Sequence, residues 1–350
     1  MHESTLPSQL GYYMPAEWHP HTATWLTWPK DPETWPERVP LVQQIFLQMI
    51  EALIPHEVVN LLVDDAATED FVRSKCNFSM SNLRFHQIET IDSWIRDYGP
   101  NFVINHKRQL SYNDWKFNAW GGKYPELAKD DRIPKALEDV LEIQRFEVEI
   151  VLEGGSIDVN GAGCVLTTEQ CLLNRNRNPH LDRHDIEQIL MNHLGVAKIL
   201  WLGEGIVGDD TDGHIDDIAR FVSKDVIVCA LEDDPLDSNY DLLRENFEKL
   251  KSMTDVNGKL FTIVTLPMPG VVGGLNTDNR CLDRLPASYA NFYIANQVVL
   301  APVFGHTNDS RAVETVQQLF PTRRVIPINC EPLVWGMGTI HCVTQQQPAP

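Results

Sequence analysis

Asp182-Arg183-His184-Asp185-Ile186-Glu187-Gln188-Ile189-Leu190-Met191-Asn192-His193-Leu194-Gly195-Val196-Ala197-Lys198-Ile199-Leu200-Trp201-Leu202 reads as a helix that feeds a strand. Asp182 suits the N-cap, because its carboxylate can accept from the free N–H groups of the first turn. Ile186, Ile189, Leu190 and Leu194 then fall on one helical face, and Gly195 closes the helix. Residues 198–202 continue as a short apolar run, the signal of a buried strand. The same alternation recurs outward from this stretch. Residues 40–54 place Val42, Ile45, Phe46, Met49, Ile50 and Leu53 on one face, Pro55 stops the helix, and a strand over 58–63 follows. Further strands are expected at 148–152, 226–230, 260–266, 297–301 and 324–328. Helices carrying Leu243, Phe247 and Leu250, and Val313, Val316, Leu319 and Phe320, lie between the later ones. Helix and strand in alternation argue an α/β fold, and periodicity alone points to a doubly wound sheet.

The composition permits a substantial core, with 43% hydrophobic residues in a chain of 350. No composition shift or Pro/Gly/Ser linker divides it, so a single domain over residues 1–350 is expected. The tail from Gln345 to Pro350 is expected to fray at its very end. With 29 basic and 49 acidic residues the net charge is −20, which repels nucleic acid and anionic lipid. Solubility explains that charge first, and attraction of a small cation second. No run approaches the ~20 apolar residues of a membrane span. The polar start Met1-His2-Glu3-Ser4-Thr5 is not a secretory signal. Seven cysteines (76, 164, 171, 229, 281, 330 and 342) form no CxxC pair, which predicts reduced thiols, a cytoplasmic setting and mostly small buried side chains.

Four polar segments break the core pattern beside glycines or strand ends, where backbone can approach a ligand. They are Trp94-Ile95-Arg96-Asp97-Tyr98-Gly99-Pro100, Glu153-Gly154-Gly155-Ser156, Gly208 to Asp217, and Gly336-Met337-Gly338-Thr339-Ile340-His341-Cys342. The third holds five aspartates and one histidine in nine residues. Such a run needs a metal, an internal Arg or Lys, or a cationic substrate, unless it is a solvated loop. In a strand, His214 and Asp216 would share a face. No HxxxH, HExxH or EF-hand spacing accompanies them, so no metal is expected. Gly203-Glu204-Gly205-Ile206-Val207-Gly208 matches a dinucleotide fingerprint by chance, since Asp209 and Asp210 would repel a pyrophosphate. Cys342 sits between Gly-rich backbone and a polar tail, unlike Cys229 among aliphatics. Lone cysteines are still usually packing. Core packing is likewise the default for Trp18, Trp25, Trp28 and Trp35.

Together these segments, with Met14-Pro15-Ala16-Glu17-Trp18, Phe117-Asn118-Ala119-Trp120-Gly121-Gly122, Leu172 to Pro179 and Asn291-Phe292-Tyr293-Ile294-Ala295-Asn296, resemble the agmatine deiminase and bacterial peptidyl-arginine deiminase family over nearly the whole chain. The resemblance implies a five-bladed α/β propeller of ββαβ modules about a pseudo-fivefold axis. It implies hydrolysis of a guanidinium without metal or cofactor, and relatives of this kind are often homodimers. Residue by residue, it assigns Asp97 and Asp216 to gripping the guanidinium, Glu153 and His214 to proton handling, and Cys342 to attack. The family often carries three glycines and an Asn before Ile-His-Cys, whereas this chain has Gly336-Met337-Gly338-Thr339. That difference alters the pocket wall and leaves Cys342 in place.

The chemistry fits those residue types. Two carboxylates can hold a planar cation bidentately, with its carbon over a sulfur. The sulfur must be a thiolate, and a bound cation and a protonated His214 both favour one. The acidic Asp209, Asp210 and Asp212 suit a dication such as agmatine, with Asp210 or Trp94 against its tail. Peptidyl-arginine or another guanidino compound is the alternative substrate. A metal-dependent hydrolase and a non-catalytic polyamine-binding protein are the rival classes. Chelator sensitivity would mark the first, and indifference to iodoacetamide the second.

Overall fold

Among the described residues five separate sheets hold the strands, so the doubly wound sheet suggested by periodicity gives way to a propeller. The structure is a computed structural model describing residues 5–273 and 284–350. Residues 1–4, which begin the polar start, and Cys281 lie outside the described residues. The opening stretch shows the module. Asp158–Val159 pairs antiparallel with Cys164–Thr168, the helix Arg183–Leu194 crosses over, and Lys198–Leu202 returns parallel to Cys164–Thr168. Asp182 caps that helix by accepting from the Asp185 N–H, and Gly195 ends it at φ 63, the left-handed conformation glycine adopts without steric cost. Parallel pairing needs such a crossover, and the crossing helix buries its apolar face on the sheet.

The same ββαβ order builds the fourth blade from Ala219–Ser223, Val226–Leu231, the helix Tyr240–Ser252 and Thr262–Pro267. It builds the fifth from Tyr293–Ile294, Val298–Val303, the helix Asp309–Leu319 and Arg324–Asn329. In the second blade, Asn101–Asn105, Leu110–Lys116 and Gln144–Val151 keep the pattern, with short helical turns as the crossover. The first blade joins the two ends of the chain. Gln345–Pro348 pairs antiparallel with His21–Thr27, which pairs parallel with Val58–Val63 across the helix Val39–Leu53. An additional strand, Leu83–Gln87, extends this blade.

Val42, Ile45, Phe46, Met49, Ile50 and Leu53 are all buried on the expected face of the first-blade helix. Each such side chain contributes about 1.5–3 kcal/mol by leaving water. Trp25, Trp28 and Trp35 are buried, as core packing required, and so are Cys164, Cys171, Cys229 and Cys330. The C-terminal tail is mostly a paired strand rather than frayed chain. Gln345 and Gln346 are buried, and the Ala349 N–H still reaches the Pro20 carbonyl. Among the described residues no helix is long and apolar enough to cross a membrane.

Candidate active site

Each connection between successive blades delivers polar side chains toward the same place. Asp97 lies on the turn Ile95–Tyr98 before the second blade, and Glu153 and Gly155 lie before the third. His214 and Asp216 precede the fourth, Asn291 precedes the fifth, and Cys342 precedes the closing strand. His214 and Asp216 do not lie on a strand, so the two-residue alternation that a strand would impose does not apply. Residues Ile215–Asp217 form a 3-10 turn instead. Gly213, at φ 84, and Asp209 explain the turn: one Asp209 carboxylate oxygen accepts the N–H groups of Gly213 and His214, at 3.0 and 3.1 Å.

Gly155 is the close point of the constellation. A methyl group there would lie 2.6 Å from His214 Nδ1, 2.9 Å from Asp97 Oδ1 and 3.1 Å from Asp216 Oδ2. Its own N–H donates to Asp97 Oδ1 at 2.9 Å. Trp120 Nε1 donates to Asp97 Oδ2, also at 2.9 Å. The indole arrives on an unusual turn, with Ala119, Trp120, Gly121 and Gly122 all in left-handed backbone. Left-handed conformation costs a non-glycine residue about 1–2 kcal/mol. The Asn118 side chain holds the turn by accepting the Gly121 N–H at 2.8 Å.

Cys342 Sγ lies 3.7 Å from Asp216 Oδ2, and Asn291 Nδ2 lies 3.2 Å from the sulfur. Burial, followed by Asp216, Asp217 and Asp97, pushes the Cys342 thiol well above its ordinary pKa. Burial opposes charge on His214 as well, but Asp97 above all, then Cys171 and Glu153, raise its pKa well above the ordinary histidine value. Burial, reinforced by Asp216, pushes Asp97 up to about 6 against the opposing pull of His214. Asp216 is held below the ordinary range despite its burial, chiefly by His341. The site thus combines a sulfur that holds its proton, a charged imidazole and acids under mutual repulsion, an arrangement that a cation would relax.

The acidic run is paired in part from within, chiefly at Asp212. Arg177 reaches Asp212 and also donates to Glu153 Oε1 at 2.9 Å and to the Thr211 carbonyl at 2.7 Å. Lys123 pairs with Asp212 at 2.7 Å, and the Tyr124 hydroxyl donates to Asp210. Glu153 Oε2, His214 Nε2 and Asp216 Oδ1 are buried without a hydrogen-bond partner. A cavity of about 670 Å³ opens over Cys342 and Asp97, with Trp94, Trp120, Asp92, Asp210, Trp335 and Met337 among its lining. Every site residue singled out from the sequence therefore either belongs to the polar cluster or borders this cavity.

Sequence reasoning missed the residues that support the cluster. His341 bridges Asp216 Oδ2 and Glu17 Oε2 at 2.7 Å on each side, an arrangement that asks both ring nitrogens to donate. Arg220 Nη2 meets the same Glu17 oxygen at 2.8 Å. The only signal for His341 was its place next to Cys342, and Glu17 is separated from it by most of the chain. Two triads bring metal-capable atoms within 4.8 Å of one another, Glu153–Cys171–His214 and Asp216–Asp217–Cys342. These are the side chains a divalent ion would use. Arg177 already occupies one Glu153 oxygen and His341 one Asp216 oxygen.

A model of the Porphyromonas-type peptidyl-arginine deiminase family matches residues 13–348. Agmatine deiminase of Ectopseudomonas mendocina is 38% identical over 99% of this chain and 98% of its own length. Agmatine deiminase of Enterococcus faecalis superposes with a TM-score of 0.93 at 33% identity, covering 99% of this chain and 98% of that one. A cysteine-to-serine variant of Campylobacter jejuni agmatine deiminase with substrate bound superposes at 0.85 and 30% identity, with 96% of each chain covered. An amidinotransferase of Microseira wollei, at 10% identity and a TM-score of 0.53, shares the fold alone. Family model, relatives and fold agree over almost every residue from the first blade to the closing strand, and the chain belongs to the Porphyromonas-type peptidyl-arginine deiminase family.

Proposed function

We propose that this protein hydrolyses the guanidinium group of agmatine to N-carbamoylputrescine and ammonia through an amidino adduct on Cys342. The observation that carries this reading is the junction cluster itself. One buried sulfur lies beside Asp216, with Asp97 and His214 grouped around the same glycine, under a cavity rimmed by aromatic and acidic side chains.

Asp97 and Asp216 hold the flat cation, and its charge offsets the acids that keep the thiol protonated, so the thiol releases its proton to solvent as the cation binds. The thiolate adds to the guanidinium carbon, giving a neutral tetrahedral adduct. His214 donates its proton to one nitrogen, which leaves as ammonia, and a thiouronium remains on the sulfur. His214 then takes a proton from water as the oxygen adds to the same carbon. Collapse expels the thiolate and forms the ureido product, and the hydroxyl proton leaves with ammonia as ammonium. Glu153, fixed by Arg177, faces this proton traffic. Acid/base help of this kind is worth roughly 10²–10⁴-fold.

The aliphatic chain of agmatine passes Trp94, and its ammonium end meets Asp210 or Asp92. Asp92, pushed up to about 7 by burial, would ionise fully beside that cation. The chain acts as one catalytic unit, in the cytoplasm, where its six described thiols stay free, and as a homodimer. Cys342→Ser is expected to lose turnover by at least about 10³-fold while still binding agmatine, since serine lacks the thiolate. Ammonia release from agmatine, free arginine and a blocked arginine peptide tests the substrate. Faster release from the peptide would overturn the agmatine reading.

A further inference from the structure

Asn291 lies on the junction before the fifth blade, and the sulfur of Cys342 lies within reach of both ends of its amide, Nδ2 at 3.2 Å and Oδ1 at 3.5 Å. Which end faces which partner is decided by its other contacts. The His341 backbone N–H points at Oδ1 from 3.0 Å, and a backbone N–H can only donate. The Thr339 hydroxyl reaches the same oxygen at 2.7 Å. Oδ1 is therefore the acceptor for both, and the amide nitrogen is the group turned to the sulfur. Asn291 and Thr339 are both buried.

We propose that Asn291 is a catalytic residue of the same reaction: its side-chain N–H stabilises the Cys342 thiolate, and Thr339 is the positioning residue that fixes the direction of its amide. An amide N–H is a donor only, and a thiolate accepts far more strongly than a thiol, so the bond favours the charged form. The acids around the sulfur, Asp216 and Asp217 from the turn before the fourth blade and Asp97 from the turn before the second, oppose the thiolate, while the charged His214 of the same cluster favours it. The Asn291 amide works against those acids before substrate arrives and each time the thiolate is expelled.

The inference rests on Cys342 as nucleophile, and the experiment separates the two. Iodoacetamide labelling of Cys342 in the free enzyme, followed by mass spectrometry across pH, reads the thiolate directly. Asn291→Ala is expected to raise the labelling midpoint by about one pH unit and to lower kcat roughly 10–100-fold with little change in KM. Thr339→Val, which keeps the shape and removes the hydroxyl, is expected to shift both in the same direction by a smaller amount. Thr339→Ser is expected to restore them. Unchanged labelling and kcat in a folded Asn291→Ala, or in Thr339→Val should the first variant not fold, overturns the role of the amide. Turnover retained in Cys342→Ser overturns the nucleophile reading instead, whatever the Asn291 variants do.

Discussion

Asp97 shows how one residue ties stability to activity. In the proposed reaction it must be ionised to grip a cation, yet burial and Asp216 push it up to about 6. Protonation removes the grip, so kcat/KM is expected to fall as pH drops through about 6, approaching tenfold per unit below it. The stability effect has the opposite sense. An unfolded aspartate titrates near 3.9, so between that value and about 6 the folded protein holds the extra proton. Stability from this group is therefore greatest at low pH and declines as pH rises through that window, by about 3 kcal/mol in all. A pH–rate profile together with thermal melts of the wild type and Asp97→Asn checks both. An acid limb well below 5, or melts that run parallel in the two proteins across this window, would refute the assignment. Asp97 was legible in the sequence through its segment, as were Glu153, His214, Asp216 and Cys342. Their supports were not, because Glu17, Arg177, Arg220 and Asn291 act through contacts between different blade junctions, and linear spacing does not encode those contacts.

At the scale of elements, the regular parts were read well and the turns were not. Strands at 58–63 and 198–202 fall within the bounds read from their apolar runs. The segment from Gly208 to Asp217 was harder to read, because Gly213 and the Asp209 carboxylate override any strand alternation. The turn before Cys342 is the instructive case. A Cβ on Gly336 would lie 2.5 Å from Trp35 Nε1, and one on Gly338 2.6 Å from the Trp94 ring, so both positions require glycine. Between them Met337 keeps a side chain at φ 73 and borders the cavity. Left-handed methionine costs about 1–2 kcal/mol. Its packing against the core, and the added chain entropy of a glycine, offset that cost to within about 1 kcal/mol. Met337→Gly is therefore expected to melt close to the wild type while the cavity widens. Relative to agmatine, kcat/KM for a blocked arginine is expected to rise roughly tenfold, the scale on which a few methylenes discriminate. An unchanged ratio would remove Met337 from the list of specificity determinants.

For the whole molecule, the pseudo-fivefold order was reachable from the sequence only through the family resemblance. The modules share topology, while their apolar runs differ in length and no repeat survives at the level of residues. The ring is closed by four residues, Gln345–Pro348, laid against His21–Thr27. Gln346 accepts from Arg96 Nη1 at 2.7 Å, and Gln347 accepts from Trp25 Nε1 at 2.9 Å. The Arg96 N–H in turn holds the Cys342 carbonyl at 3.2 Å, on the same turn that carries Asp97. Closure thus ties the sulfur to the turn that carries Asp97, two elements that meet from the C-terminal segment and the junction before the second blade. Removing residues 345–350 deletes the edge strand and its buried glutamines, a loss of about 3–5 kcal/mol at roughly 1 kcal/mol per hydrogen bond. The truncated protein is expected to melt lower and to lose at least about 100-fold in kcat, since a shift of about 1 Å at the reacting atoms is enough for that. Gln346→Ala keeps the strand and removes only the Arg96 contact, so it is expected to lower kcat severalfold with a small change in melting temperature. Full activity in the truncated protein would mean that Cys342 is positioned independently of ring closure, leaving its contacts with Asn291 and Arg96 to hold the sulfur without the closing strand.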